Sequence, residues 1–340
     1  MNKHLIDIKK LAKQIKQSVR LMEVCGTHTE AIAKAGIRQL MPKNIELVTG
    51  PGCPVCVTDQ RDIDAIVELA LRDVPIACYG DVLRVPGTKM SLEQARAEGA
   101  SVHVVYSTED ALALKKDYPE LVFFGIGFET TAPMTASAIK RGLAVYSVHK
   151  YFPPAMLALA KDPQIQIDGF INPGHVSAII GAKPYRAIKK PQVIAGFTPS
   201  DVLQAIEMLL KQINLRQSLV ENQYTRLVHP TGNHKAQRLL DQVFEPATAT
   251  WRGLGAIPKS GMKIKPKFSD YNAEKKYAKI IAALPKPTKT ARGCQCAAVI
   301  KGQIKPAQCK LFAKQCEPEK PIGACMVSRE GACRIAYEHR

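Results

Sequence analysis

The chain carries ten cysteines, and their spacing is its most chemical feature. Cys25 stands near the start, followed by the pair Cys53-Pro54-Val55-Cys56, and six more lie between Cys294 and Cys333. No apolar run of a secretion signal precedes them, so the expected compartment is the reducing cytoplasm. There, such spacing favours metal or redox chemistry over structural disulfides. Cys78 sits inside an apolar run and reads as core.

Around Cys25 the sequence is Met22-Glu23-Val24-Cys25-Gly26-Thr27-His28-Thr29-Glu30. Thr27 with Glu30 fits the box that opens a helix, which puts Cys25 just ahead of a helix N-terminus. Unsatisfied N–H groups and the helix dipole there favour thiolate, a better nucleophile and metal ligand than thiol. Gly50-Pro51-Gly52-Cys53-Pro54-Val55-Cys56 repeats the arrangement, with Thr58 or Asp59 capping the helix that follows. A Cys-x-x-Cys between strand and helix can close into a disulfide and reopen. Cys25-x-x-His28 and Cys53-x-x-Cys56 together also supply the four ligands of a structural zinc.

Two further loops carry polar groups. In Gly127-Phe128-Glu129-Thr130-Thr131, Glu129 can serve as acid, base or hard iron ligand, or cap a helix. In Asn172-Pro173-Gly174-His175, His175 can donate a proton or orient a ligand. Gly80-Asp81 and Gly125-x-Gly127 are only fragments of nucleotide-binding turns, and no Walker lysine accompanies them. The six closing thiols, Cys294, Cys296, Cys309, Cys316, Cys325 and Cys333, exceed the four that a [4Fe–4S] cluster uses, and the spacing is not that of a ferredoxin. Zinc stays open for this block beside a redox cluster, which the dithiol elsewhere in the chain favours.

These loops need elements to hold them. Short β-rich runs at 21–24, 45–49, 76–79, 102–106, 121–126, 144–148, 169–171 and 192–195 alternate with helical stretches, the signature of parallel strands with crossovers. The expected class is α/β: two similar parallel-sheet domains at 1–118 and 119–214, then a smaller, basic, cysteine-rich domain at 215–340. The unusual residues fall where strand C-termini meet helix N-termini, the usual ligand position of such sheets. The tail can hardly bury enough apolar surface to fold unaided, so a metal centre would supply the missing constraint.

With 340 residues, 46% of them hydrophobic, the chain can bury a full core, and no segment reads as a membrane span. The formal charge of +18 is concentrated late, at 259–267 and 275–289. Few aromatics interleave it, so it reads as a solvated basic face for acidic proteins and not as a nucleic-acid site.

Cys25-Gly-Thr-His28, Gly50-Pro-Gly-Cys53-Pro-Val-Cys56, Gly127-Phe-Glu-Thr-Thr131, Asn172-Pro-Gly-His175 and the closing Cys325-Met-Val-Ser-x-Glu-Gly-Ala-Cys333 resemble the signature motifs of the HypD family of [NiFe]-hydrogenase maturation factors. The resemblance spans nearly the whole chain. It implies two α/β domains and a third with a [4Fe–4S] cluster held by Cys294, Cys309, Cys316 and Cys333, leaving Cys296 and Cys325 over. It further implies a scaffold on which, with the small chaperone HypC, the Fe(CN)2CO group of the hydrogenase large subunit is built. Cys25 would hold that iron with His28 and Glu129 as neighbours. Cys53 and Cys56 would relay electrons from the cluster, and cyanide would come from HypE, charged by HypF. Two other readings compete: a stand-alone iron–sulfur disulfide reductase, and a zinc-stapled binding module.

Overall fold

The computed structural model describes residues 3–285 and 293–340; the end of the expected basic run, 286–289, lies outside them. Eleven strands are present among these residues. β1 (Val19–Glu23), β2 (Ile45–Thr49), β3 (Ile76–Tyr79), β4 (Val102–Val105), β5 (Val122–Gly125), β6 (Ala144–Ser147), β7 (Gly169–Pro173) and β8 (Gln192–Ala195) match the eight expected runs to within a few residues. Beyond them lie a short β9 (Val220–Asn222) and the pair β10 (Phe244–Trp251) and β11 (Gly255–Ile264).

The strands form two parallel sheets and one antiparallel hairpin. The first sheet has the order β2-β1-β7-β8-β9 and the second β4-β3-β5-β6, while β10 pairs with β11. The α/β class is therefore observed. Helices cover both faces of such sheets, which is why β5, β7 and β8 are buried throughout.

The division of the chain differs from the expected limits. The first sheet takes β1 and β2 from one end and β7, β8 and β9 from much later, so the second sheet is inserted between β2 and β7. The limit expected at 118 falls between β4 and β5, which flank β3 in one sheet, and β9 extends the first sheet past 214. Local alternation reveals strands, but sheet membership depends on which strand edges pair, and that is a long-range choice.

One apolar core runs between the sheets and into the C-terminal region, through Val55, Phe128, Phe152, Trp251, Cys296 and Cys325. The hairpin clamps it. Trp251 is fully buried, stacks on Phe128 at a centroid distance of 5.8 Å and donates from Nε1 to Ser260 Oγ at 2.9 Å. The C-terminal region contributes short helices at Cys296–Ile300, Ala324–Val327 and Ala332–Glu338. Among the described residues no helix is long and apolar enough to cross a membrane.

Candidate functional site

β1 ends at Glu23, and Cys25 is the N-cap of the helix Gly26–Lys34. The helix thus begins earlier than a Thr27 cap would place it, and Cys25 itself occupies the dipole's positive end. Backbone N–H groups of Thr27 and His28 reach its sulfur. They do not win: burial, followed by the charge of Glu330, pushes the thiol up to about 11. The expected thiolate is thus a thiol at rest, which loses its proton to solvent when a metal cation or an electrophile takes its sulfur.

The loop after β2 lies against this position. A Cβ on Gly52 would stand 2.4 Å from both N and Cα of Cys25, so only glycine allows the approach. Cys53 then caps the helix Pro54–Val57, accepting from the N–H of Cys56 at 3.2 Å, and the two cysteines are joined as a disulfide with Cα atoms 5.3 Å apart. Both are buried. Asp59, not Thr58, caps the next helix, Gln60–Leu71.

A cavity of about 180 Å³ opens where the C-terminal ends of β1, β2, β3, β5 and β7 converge from the two sheets. Cys25, Gly52, Asp81, Thr131, His175 and Glu330 are among the residues lining it. This is the position where a doubly wound sheet binds ligands, here shared between two sheets. The sequence marks Asp81 only as part of a fragmentary nucleotide-binding turn and Glu330 only as part of the closing cysteine motif, although Asp81 follows β3 as Cys25 follows β1. Burial, then the charges of Asp81 and Glu30, raise the Glu330 carboxyl to about 7. Ser328 Oγ donates to Asp81 Oδ2 at 3.0 Å, tying the C-terminal segment to the loop after β3. The hydroxyls of Tyr79 and Thr131 are buried here without a hydrogen-bond partner.

The other expected site residues are placed differently. His28 is fully buried and turns its Nε2 to the carbonyls of Ala195 (3.2 Å) and Gly196 (3.0 Å), while Nδ1 has no partner. Two carbonyl acceptors place the proton on Nε2, and burial lowers the imidazole to about 4, so the ring is neutral. Its ring stacks on Phe197, which also packs against the exposed His175. Glu129 accepts from the N–H of Phe152 at 2.9 Å through Oε1 and so caps the helix Phe152–Lys161 rather than its own. It borders a separate open groove with Tyr151, Pro154 and Asp241. Its Oε2 is unpartnered, and burial raises it to about 7.

The six C-terminal cysteines surround one small cavity, with Val299, Leu311, Phe312 and Met326 as apolar wall. Cys325 shares hydrogen bonds with Cys296 and Cys333, and a Cβ on Gly323 would meet Cys294 Sγ at 2.8 Å. Burial pushes the Cys294 thiol up to about 12. The helix Ala324–Val327, which carries Cys325, packs against Pro54–Val57, which carries Cys56. Among the described residues no three His, Cys, Asp or Glu side chains are gathered to hold a single ion. The four-ligand zinc at Cys25, His28, Cys53 and Cys56 has no assembled ligand set, since Cys53 and Cys56 are bonded to each other and His28 faces backbone carbonyls, whereas in the tail six cysteines line one apolar-walled cavity.

Known proteins resemble this chain along nearly its whole length. The HypD family model, described as "Hydrogenase formation hypA family", matches residues 1–340. The chain is 44% identical over 354 residues to a hydrogenase maturation factor HypD from Rhodobacter capsulatus, covering 98% of this chain and 94% of the relative. It is 46% identical over 341 residues to the hydrogenase expression/formation protein HupD of Azotobacter chroococcum mcd 1, covering 94% and 89%. A putative hydrogenase expression/formation protein of Methanocaldococcus jannaschii is 40% identical over 355 residues, covering 100% and 97%.

Proposed function

The chain belongs to the HypD family of hydrogenase maturation factors, and from that premise we propose that it is the scaffold on which, with a HypC-type small chaperone, the Fe(CN)2CO group of [NiFe]-hydrogenase is assembled. The observation that supports this most directly is the surroundings of Cys25. One thiol lines the cavity at the strand ends, a disulfide-forming pair follows the loop pressed on its backbone, and six more thiols lie behind that pair's helix.

In this reading the mononuclear iron with its CN and CO ligands is cargo. Cys25 ligates it together with a cysteine of the chaperone, and the finished group passes on to the hydrogenase large subunit. Cyanide arrives as a thiocyanate on the C-terminus of HypE, charged by HypF. Breaking the C–S bond of R–S–C≡N consumes two electrons and leaves a thiolate and cyanide. Cys53 and Cys56 supply them, since a dithiol closing to a disulfide releases two electrons and two protons. His28 and Glu129 act as positioning residues: the first pins the Cys25 helix to the end of β8, the second the helix beyond β6.

The cysteine-lined cavity fits a resident [4Fe–4S] group in donor type and apolar wall. Cys294, Cys309, Cys316 and Cys333 would hold it, with Cys296 and Cys325 as a hydrogen-bonded pair beside it. Bound there, the group would supply single electrons at a potential set by charge and solvent access. The shared core of Val55, Phe128 and Trp251 keeps water away from the disulfide. A free-standing disulfide reductase would need a protein substrate to reach Cys53 or Cys56, and both are buried.

The test is anaerobic purification with the chaperone, followed by iron, zinc and sulfide analysis and infrared spectroscopy. About four irons and four sulfides, with one further iron bearing CN and CO bands, are expected. In the Cys25→Ala variant the further iron and its bands disappear while the cluster absorption persists. A variant that keeps them sinks the assignment of Cys25, and zinc without sulfide sinks the redox role.

A further inference from the structure

The tip of the β10–β11 hairpin drives a cation between the two groups of thiols. Arg252 is more than nine-tenths buried. Its backbone N–H donates to Val57 C=O at 2.8 Å, its Nε to Thr58 C=O at 2.8 Å and its Nη1 to Gln60 Oε1 at 2.8 Å. The three acceptors lie at the end of the helix Pro54–Val57 and just beyond it. The next residue, Gly253, has φ +80°, and a Cβ there would stand 2.8 Å from Cα of Ala297 in the helix Cys296–Ile300. Arg252 is thus seated between the disulfide helix and the wall of the six-cysteine cavity, within electrostatic reach of Cys296.

Two features of this arginine need a reason. No carboxylate among the described residues pairs with it, and its Nη2 is buried without any hydrogen-bond partner. A buried guanidinium with an unused donor and no counter-ion is unfavourable by itself. It becomes favourable when negative charge appears nearby. Trp251, its neighbour, anchors the hairpin by packing on Phe128 in the core.

We propose that Arg252 is a positioning residue that sets the reduction potential of the cysteine-lined cavity, its unpaired guanidinium stabilising the negative charge the cavity gains on reduction. This rests on the reading of that cavity as an iron–sulfur site. One electron enters from a low-potential donor, no bond is made or broken, and the net charge of the cavity falls by one. A fixed cation beside it favours the reduced form, since cluster potential follows net charge and hydrogen bonding.

The experiment is a redox titration of the purified holoprotein with dithionite, followed by electron paramagnetic resonance, after iron and sulfide have been counted. Arg252→Met is expected to shift the equilibrium about tenfold toward the oxidised form, ~59 mV for a one-electron couple. Arg252→Lys, which keeps the charge but not the fork, is expected to stay near wild type. Gln60→Glu, which places a carboxylate where Nη1 donates, is expected to shift in the same sense as Arg252→Met, and it decides the matter if that variant does not fold. Wild-type potentials in Gln60→Glu and Arg252→Met, at full iron and sulfide content, overturn the role of Arg252. So does a Lys variant that shifts as far as Met, because the loss would then be one of packing. A wild-type chain without the expected iron and sulfide overturns the reading of the cavity, and the proposal with it.

Discussion

At the scale of single residues, burial decides the chemistry more often than local sequence does. Cys25 has every local reason to be a thiolate, and desolvation with Glu330 nearby still holds it near 11. Metal capture at Cys25 therefore releases a proton: iron uptake at pH 7 is expected to acidify a weakly buffered solution, and Cys25→Ala to abolish that part of the release. Glycine matters just as much here. Gly52→Ala puts a Cβ into backbone atoms of Cys25 that have no side-chain freedom to yield. A loss of about 1–3 kcal/mol in urea unfolding is expected, together with loss of cargo iron.

His28 makes a pH prediction whose sign follows from its depressed titration. Its folded value is about 4 against 6.5 unfolded, so below 6.5 the unfolded chain takes up a proton that the folded chain refuses. The stability tied to the neutral ring is fully present above 6.5 and is lost as pH falls toward 4, by up to ~3 kcal/mol. Glu129 and Glu330, raised to about 7, act in the opposite sense over that range. The measurable quantity is thus the difference between wild type and His28→Gln in urea unfolding at pH 7 and pH 4.5. A difference that does not change with pH would contradict the neutral, buried ring.

At the scale of elements, the site is a product of strand ends. Five strands deliver their following loops to one cavity because parallel strands put all their C-termini on the same side. The hairpin β10–β11 is the element that joins these loops to the tail. Its Trp251 meets Phe128 from the loop after β5 and Phe152 from the helix after β6, while Arg252 reaches the end of the helix Pro54–Val57. Trp251→Ala should cost ~3–5 kcal/mol, measured by urea unfolding. If the hairpin serves the tail as this packing implies, the variant also loses iron and sulfide, whereas Trp251→Phe retains most of both.

At the scale of the whole molecule, the inserted topology makes the two sheets interdependent. β1 pairs with β7, and β3 pairs with β5, across any cut near residue 118. A fragment of residues 1–118 is therefore expected to lack cooperative unfolding by circular dichroism, because both sheets would lose a central partner. A cooperative fragment would mean that β1–β2 and β3–β4 suffice alone. The tail is bound into the same arrangement: Ser328 reaches Asp81, and the Cβ of Glu330 sits 2.4 Å from where a Cβ on Gly26 would be.

The sequence by itself determined the elements and the chemistry-bearing loops. Apolar β-branched runs bounded by Gly and Pro marked eight strands, and Cys25, Cys53, Cys56 and the six closing thiols stood out by type and spacing, since these signals are local and a residue's neighbours in the chain carry them. β10 and β11 were missed because Pro246 and the alternation of Ala and Thr look like loop, and only pairing with each other and packing under Trp251 makes them strands. Tertiary structure alone decided that the second sheet is inserted in the first, that Asp81 and Glu330 join Cys25, and that His28 and Glu129 turn away from it. It also decided the ionisation of Cys25. Those outcomes depend on which surfaces exclude water from one another, and desolvation is set by atoms far apart in sequence.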